Sequence, residues 1–486
     1  MNYIFDKLEP KNVWLYFNEI LQIPNASGNI SKIKNYLIDF GKKNKLETLS
    51  DEIGNVLIRK NATKGYEKLK SVVLQGHMDM VCEKNNDVKF NFDTDAIIPI
   101  VENGWVKAKG TTLGADNGIA LAAMMAVLGA NNIEHGPIEC LFTVDEEIGL
   151  IGAFDLKTDF LKSEILLNLD SEDEGEFCIG CAGGNYTNIS VKYKNEAVDK
   201  NNVAIKINVK GLLGGHSGDE INKNRGNSIK IINRIVWNLN RSFKISLSSI
   251  NGGNLSNAIP RESECIIVAD KNDVKNIKKQ IIENEKLIKN ELSSNEPNFE
   301  VKVKEVTLPD FVIDNKTKDN LLNSLYACPH GVIAMSTEIP GLVETSTNLA
   351  LVKTLSNTIE IKTSQRSAID SAKADVSNMI NGLFSISKAK IEHTGYYPGW
   401  KPNPSSEIVK IMVNSYKKLY KKEPKVLAIH AGLECGVIGE KYPKMEMISF
   451  GPTIKAPHSP DERMDIVTVK LFWDLLLDVL KNIPKK

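Results

Sequence analysis

Three apolar runs early in the chain each end in residues that bind divalent metal. Residues 71–76 lead into His77-Met78-Asp79, residues 140–144 into Asp145-Glu146-Glu147, and residues 165–169 into Asp170. Three such endings within about a hundred residues predict strands of one sheet that deliver ligands to a common edge. Helical periodicity between them, above all in the Ala- and Met-rich stretch 117–128, predicts an α/β sheet covered on both faces.

At 486 residues, 42% hydrophobic and 25% charged, the chain has enough apolar material for two domains. Lys plus Arg equals Asp plus Glu at 61 each, so no global field favours nucleic acid or an anionic membrane, and a small peptide or other small molecule is the expected partner. No apolar stretch is long enough to cross a bilayer, and the N-terminal residues lack the pattern of a secretory signal. Seven cysteines without framework spacing fit a reducing cytoplasm, and Cys178 and Cys181 read as packing residues.

Two helices are expected within residues 12–43, split by residues 24–28, with strands at 54–59, 71–76, 138–144 and 165–169. Beyond Ala182-Gly183-Gly184 the pattern becomes strand 203–209, helix 227–239, strands 244–250 and 262–269, helix 273–292 and strand 298–306, the ferredoxin-like order βαββαβ. Helix 318–326, strands 345–352 and 358–363, helix 371–384 and strand 389–394 form a partial echo of it. A Pro-rich junction at 396–404 follows. The expected organisation is a discontinuous catalytic domain, 1–184 and 396–486, carrying a mixed sheet covered by helices, with an α+β lid domain inserted at 185–395.

On an extended strand His77 and Asp79 share a face, and an acid beside an imidazole fixes its tautomer. Asp116 stands at the start of the Ala-rich helix, where it reads as an N-cap or, having two oxygens, as a bridge between two cations. Glu146 and Glu147 are consecutive acids after an apolar strand, costly to bury without cations or protons. One can ligate while the other handles a proton. Residues 172–174 read instead as a solvated acidic turn. His458 lies in a loop restricted by Pro457 and Pro460.

These motifs, with Gly214-Gly215-His216-Ser217-Gly218, Asn257-Ala258-Ile259-Pro260-Arg261 and residues 430–436, resemble the M20 family of metallopeptidases, most closely its aminoacyl-histidine dipeptidase branch. The resemblance spans nearly the whole chain and implies a zinc-peptidase-like catalytic domain. It implies two divalent cations, zinc first, with cobalt or manganese compatible. Asp116 would bridge them, His77 and Asp170 would complete one, and Glu147 and His458 the other. It further implies Asp79 as orienter of His77, Glu146 as general base, and a cis peptide between Asp116 and Asn117. His216 would stabilise the oxyanion, Asn257 and Arg366 would hold the substrate carboxylate, and Gly432 would admit its backbone. The implied reaction is hydrolysis of unblocked dipeptides, Xaa-His and β-alanyl-histidine among them, by metal-activated water. An N-acyl-amino-acid deacylase or tripeptidase uses the same metals, and a non-catalytic metal- or peptide-binding protein is a further alternative. A second copy of the chain is a candidate partner through the inserted domain.

Overall fold

The computed structural model describes residues 4–486. It contains two units, one comprising the chain up to Cys181 with Trp400–Ala428 and Leu433–Lys486, the other Ala182–Gly399 with Ile429–Gly432.

The first unit is built on an eight-stranded sheet in the order Glu47–Ser50, Val56–Lys60, Ile138–Thr143, Val72–His77, Ile165–Asn168, Glu446–Ser449, Glu176–Cys181, Lys425–Ile429. The three strands singled out by their endings are immediate neighbours and parallel, with His77 opposite Thr143 and Gln75 opposite Asn168. Every residue in these three strands is buried, as expected of central parallel strands with both faces covered. Parallel neighbours end on the same side, so the segments after His77, Thr143 and Asn168 emerge together.

The helix Ala115–Gly129 is apolar all round and, apart from Asp116, buried through Leu128, the signature of a core helix rather than a surface one. It packs on the strand Val72–His77 and on the helix Lys11–Ile20, where Phe17 lies 3.3 Å from a Cβ built on Gly118. The first helix buries Val13, Trp14, Phe17 and Ile20, one stripe at helical spacing. Short elements that sequence periodicity did not reveal include the strands Glu47–Ser50, Pro99–Glu102 and Trp105–Ala108 and the helix Ile151–Asp155.

The second unit holds one nine-stranded sheet. Its first half runs strand Asn202–Lys210, helix Ser228–Ser242, strands Ile245–Gly252 and Ser263–Asp270, helix Val274–Glu291, strand Glu300–Val306. In space these strands stand fourth, first, third, second. The second half repeats that order once the strand Gly183–Lys192 is counted as its first member. Helix Asn315–Ala327, strands Val343–Thr354 and Thr358–Ser367, helix Asp370–Ser385 and strand Lys390–Tyr397 follow. Gly183–Lys192 was absent from the sequence reading, which is why the second series looked partial. The two halves join through Asn251 opposite Lys353 and Gly252 opposite Val352. They share one core that includes Ile189, Ile207, Ile232, Leu247, Leu322 and Phe384.

Candidate active site

At the edge where the three parallel strands end, six donors converge. The His77 Nε2 atom lies 3.1 Å from Asp116 Oδ1 and 3.4 Å from Asp170 Oδ1. The His458 Nε2 atom lies 3.1 Å from Asp116 Oδ2 and 2.8 Å from Glu147 Oε1. The two oxygens of Asp116 therefore face two different imidazoles. Two overlapping groups able to hold a cation result, His77 with Asp116 and Asp170, and Asp116 with Glu147 and His458, while Glu146 closes a third with His77 and Glu147.

The donors fit cations on a structural criterion of their own. Glu147 Oε1 is buried and has no hydrogen-bond partner among the described residues, although the His458 nitrogen is close. One ion shared between the two facing lone pairs would satisfy both, and imidazole with carboxylate suits Zn, Co or Mn.

Local structure explains how each donor is held. Asp116 does not cap its helix. It has non-helical dihedrals, its peptide to Asn117 is cis, and the Asn117 amide donates to Leu169 O at 3.0 Å. Gly76 leaves space for that amide, because a Cβ there would fall 2.3 Å from Asn117 Oδ1. His77 donates from Nδ1 to the Asp79 carbonyl at 3.0 Å, with the Asp79 carboxylate 3.4 Å away, which turns Nε2 toward the other donors. The Asp79 carboxylate also accepts from the backbone N–H of Glu146 at 2.9 Å, from that of Glu147 at 3.3 Å and from Ser27 Oγ at 2.8 Å. It therefore places both glutamates as well as the histidine. His458 sits at φ 59°, a left-handed conformation unusual for a residue with a side chain.

Crowding of acids sets the electrostatics. Burial, followed by repulsion from Asp170, Glu434 and Glu147, pushes Glu146 up to about 9 despite the opposing pull of His77. Asp170 rises to about 6, chiefly through burial. The carboxylates of Asp116 and Glu147, 3.1 and 2.8 Å from its Nε2, push His458 up to about 10. Asp116 is held below the usual carboxylate range by its two histidines, which outweigh its burial. Surplus negative charge in a buried pocket is the condition a divalent cation relieves.

Two acids that support this edge carried no role in the sequence reading. Glu462 is 2% exposed and accepts backbone N–H groups from Leu113, Gly114, Ala115 and Asp116 at 2.7, 3.1, 2.8 and 3.4 Å, fixing the loop that presents Asp116. Glu434 is buried beneath the site and accepts from Gln75 Nε2 at 2.5 Å and Thr143 Oγ1 at 2.9 Å. The only sequence signal for Glu434 is its place within residues 430–436, and for Glu462 its place four residues past His458. The acidic turn is also corrected: burial raises Glu172 to about 8, and Glu174 accepts from the Tyr416 hydroxyl at 2.8 Å. The turn is docked on its unit, and only Asp173 is exposed.

Burial outweighs the four N–H donors and raises Glu462 from 4.5 to about 7. An acid with a raised folded pKa contributes stability fully below its unfolded value and loses it as pH rises through the folded one. Glu462→Gln cannot titrate and leaves N–H groups short of acceptors, at a cost of about 2 kcal/mol. In metal-free protein the gap in thermal midpoint between wild type and this variant should narrow as the pH goes from 4.5 to 8. A gap that widened over that window would contradict the assignment.

His216, Asn257, Arg366 and Gly432 belong to the second unit. His216 pairs opposite Ala258, next to Asn257, whose carbonyl accepts from Ser217 N–H at 2.8 Å. Its Nδ1 lies 3.1 Å from Asp219 Oδ2. Gly218 fits between the His216 ring and the His430 carbonyl, 3.0 and 2.6 Å from a Cβ built there. Arg366 points one nitrogen at the Tyr397 hydroxyl and the His430 carbonyl. None of the seven cysteines forms a disulfide, and Cys178 and Cys181 are buried.

Comparison with known proteins places the chain among the hydrolases that cleave peptide bonds. More narrowly, it belongs to peptidase family M20/M25/M40, whose family model matches residues 73–482. It is 42% identical over 482 residues to the cytosol non-specific dipeptidase of Escherichia coli (strain K12), covering 99% of each chain. Among solved structures it matches aminoacylhistidine dipeptidase from Vibrio alginolyticus with a TM-score of 0.96 and 41% identity, over 99% of this chain and 98% of that one. Aminopeptidase PepT from Bacillus cereus ATCC 10987 shares the fold, with a TM-score of 0.58 at 16% identity over 98% of this chain and 99% of that one. Among the described residues no helix is long and apolar enough to cross a membrane.

Proposed function

We propose that this protein is a metal-dependent dipeptidase acting on unblocked dipeptides, Xaa-His substrates such as β-alanyl-histidine included. The observation that carries the reading is Asp116, whose two oxygens address His77 with Asp170 on one side and His458 with Glu147 on the other. The relatives named as dipeptidases support the substrate class, and the word cytosol in one of those names supports a cytoplasmic location.

In this reading His77, Asp116 and Asp170 would hold one divalent cation, and Asp116, Glu147 and His458 would hold a second. When bound, the cations supply Lewis acidity, a water of lowered pKa, and the positive charge that draws the Glu146 carboxyl down from about 9. Glu146 takes the proton of the attacking water and returns it to the leaving amine. Asp79 keeps Glu146 and Glu147 in register through their backbone N–H groups. His216, with Asp219 at its Nδ1, offers Nε2 to the carbonyl oxygen that becomes the oxyanion. Arg366 and Asn257 take the free carboxylate, and Gly432 admits the substrate backbone.

The test is a metal-dependent assay on β-alanyl-histidine, other Xaa-His dipeptides, tripeptides and N-acetyl amino acids. Turnover confined to free dipeptides and lost on chelation supports the reading. Turnover of only acetylated substrates would make the protein a deacylase, and turnover of only tripeptides a tripeptidase.

A further inference from the structure

The inserted unit contains a tyrosine built into place with more care than a packing residue needs. Tyr397 ends the strand Lys390–Tyr397, opposite Gly184. A Cβ on Gly184 would come within 2.6 Å of the tyrosine ring and hydroxyl, and one on Gly432 within 2.9 Å of the ring. Two chain segments far apart in sequence thus both use glycine to admit this side chain. Its carbonyl accepts from Lys373 Nζ at 2.6 Å, and that ammonium, 1% exposed at the residue level, also donates to Asp370 at 2.7 Å.

The hydroxyl so placed accepts from Arg366 Nη1 at 3.2 Å, and the His430 carbonyl lies 3.4 Å from the same nitrogen. Both hydrogen-bond partners are uncharged, so neutral groups fix the guanidinium along one edge, and Asp219 is the carboxylate near enough to feel its charge without bonding to it. Its Nε and Nη2 carry no hydrogen bond among the described residues, and the side chain is half-buried. A planar fork held on one edge and open on the other suits bidentate capture of a carboxylate. The nearby His430 ring adds no competing positive charge. It shares a 2.7 Å hydrogen bond with Ser346 Oγ, and burial and the adjacent Arg366 hold it down at about 4.

We propose that Tyr397 is a positioning residue that aims Arg366 at the C-terminal carboxylate of the dipeptide and so sets the preference for free acids over blocked substrates. This rests on the reading of Arg366 as the carboxylate anchor. It also gives Gly432 a second task beside admitting the substrate backbone: leaving room for the Tyr397 ring.

The experiment compares kcat/KM for β-alanyl-histidine and for its C-terminal amide in the metal-loaded enzyme, using wild type, Tyr397→Phe, Gly432→Ala and Arg366→Ala. Tyr397→Phe keeps the ring and removes one hydrogen bond to a charged group, so the acid-over-amide preference should fall about tenfold, with the loss in KM for the acid. Gly432→Ala, which crowds the ring, should reduce the same preference. If Arg366→Ala abolishes the preference while Tyr397→Phe retains it in full, the tyrosine proposal is overturned and the anchor reading stands. If Arg366→Ala itself leaves the preference intact, the anchor reading fails. Equal loss on acid and amide in Tyr397→Phe would mark a general structural role and also overturn the proposal.

Discussion

Glu146→Gln is expected to lower kcat by about 10²–10⁴-fold while the protein keeps its full cation content and its KM stays close to that of wild type. The amide occupies the volume of the carboxyl and removes only its capacity to accept a proton. Glu146 lies next to Glu147 and is placed by its backbone N–H on Asp79, so its substitution leaves the backbone clamp intact. Measuring turnover and bound metal on the same preparation separates chemistry from loading. Near-normal turnover with metal in place would remove Glu146 from the role of base.

Asp116→Asn should be at least as damaging, but through a different readout. The substitution preserves shape and removes the one charge that faces both imidazoles, at 3.1 Å in each case. In the proposed reading both cation positions share this residue, so metal content after desalting should drop for both rather than one, and kcat/KM should fall by about 10³-fold or more. Loss of a single equivalent would mean that Asp116 serves only one position and that the bridging arrangement is incorrect. His77, raised first by Asp170 and then by Asp116, and His458, raised by Asp116 and Glu147, each lose one of the carboxylates that raise them, so the folded metal-free variant should also hold fewer protons near neutral pH than wild type, which a proton-release titration reads independently of activity.

The convergence of donors at the candidate site was legible because its signal is local. An apolar run followed at once by an acid or imidazole needs only a short window, and parallel pairing then carries His77, Glu146, Glu147 and Asp170 to one side. What escaped was set by partners distant in sequence. The strand Gly183–Lys192 has periodicity weakened by polar residues on both faces, and its partners are Thr358–Ser367 and Lys390–Tyr397. Without it the second ferredoxin-like half looks truncated. Glu462 and Glu434 escaped for a related reason. Each accepts hydrogen bonds from groups nearly three hundred residues or more away in the chain, and a lone buried acid has no spacing to reveal it. Tyr397 likewise looked like one aromatic in a Pro-rich junction until Gly184, Gly432 and Arg366 were seen around it.

The nesting of the strands has a bearing on how the polypeptide comes to order as it is made. The strand Gly183–Lys192 must wait for Thr358–Ser367, and in the interval a complete βαββαβ set, Asn202–Lys210 to Glu300–Val306, has already been synthesised. The outermost sheet closes later still, when Glu446–Ser449 slots between Ile165–Asn168 and Glu176–Cys181. Assembly on the ribosome should therefore proceed from the innermost bracket outward, each enclosed set folding before the strands that flank it can pair. His458 and Glu462 emerge after the last of these brackets, so an interrupted translation product displays well-formed pieces yet never a finished metal pocket.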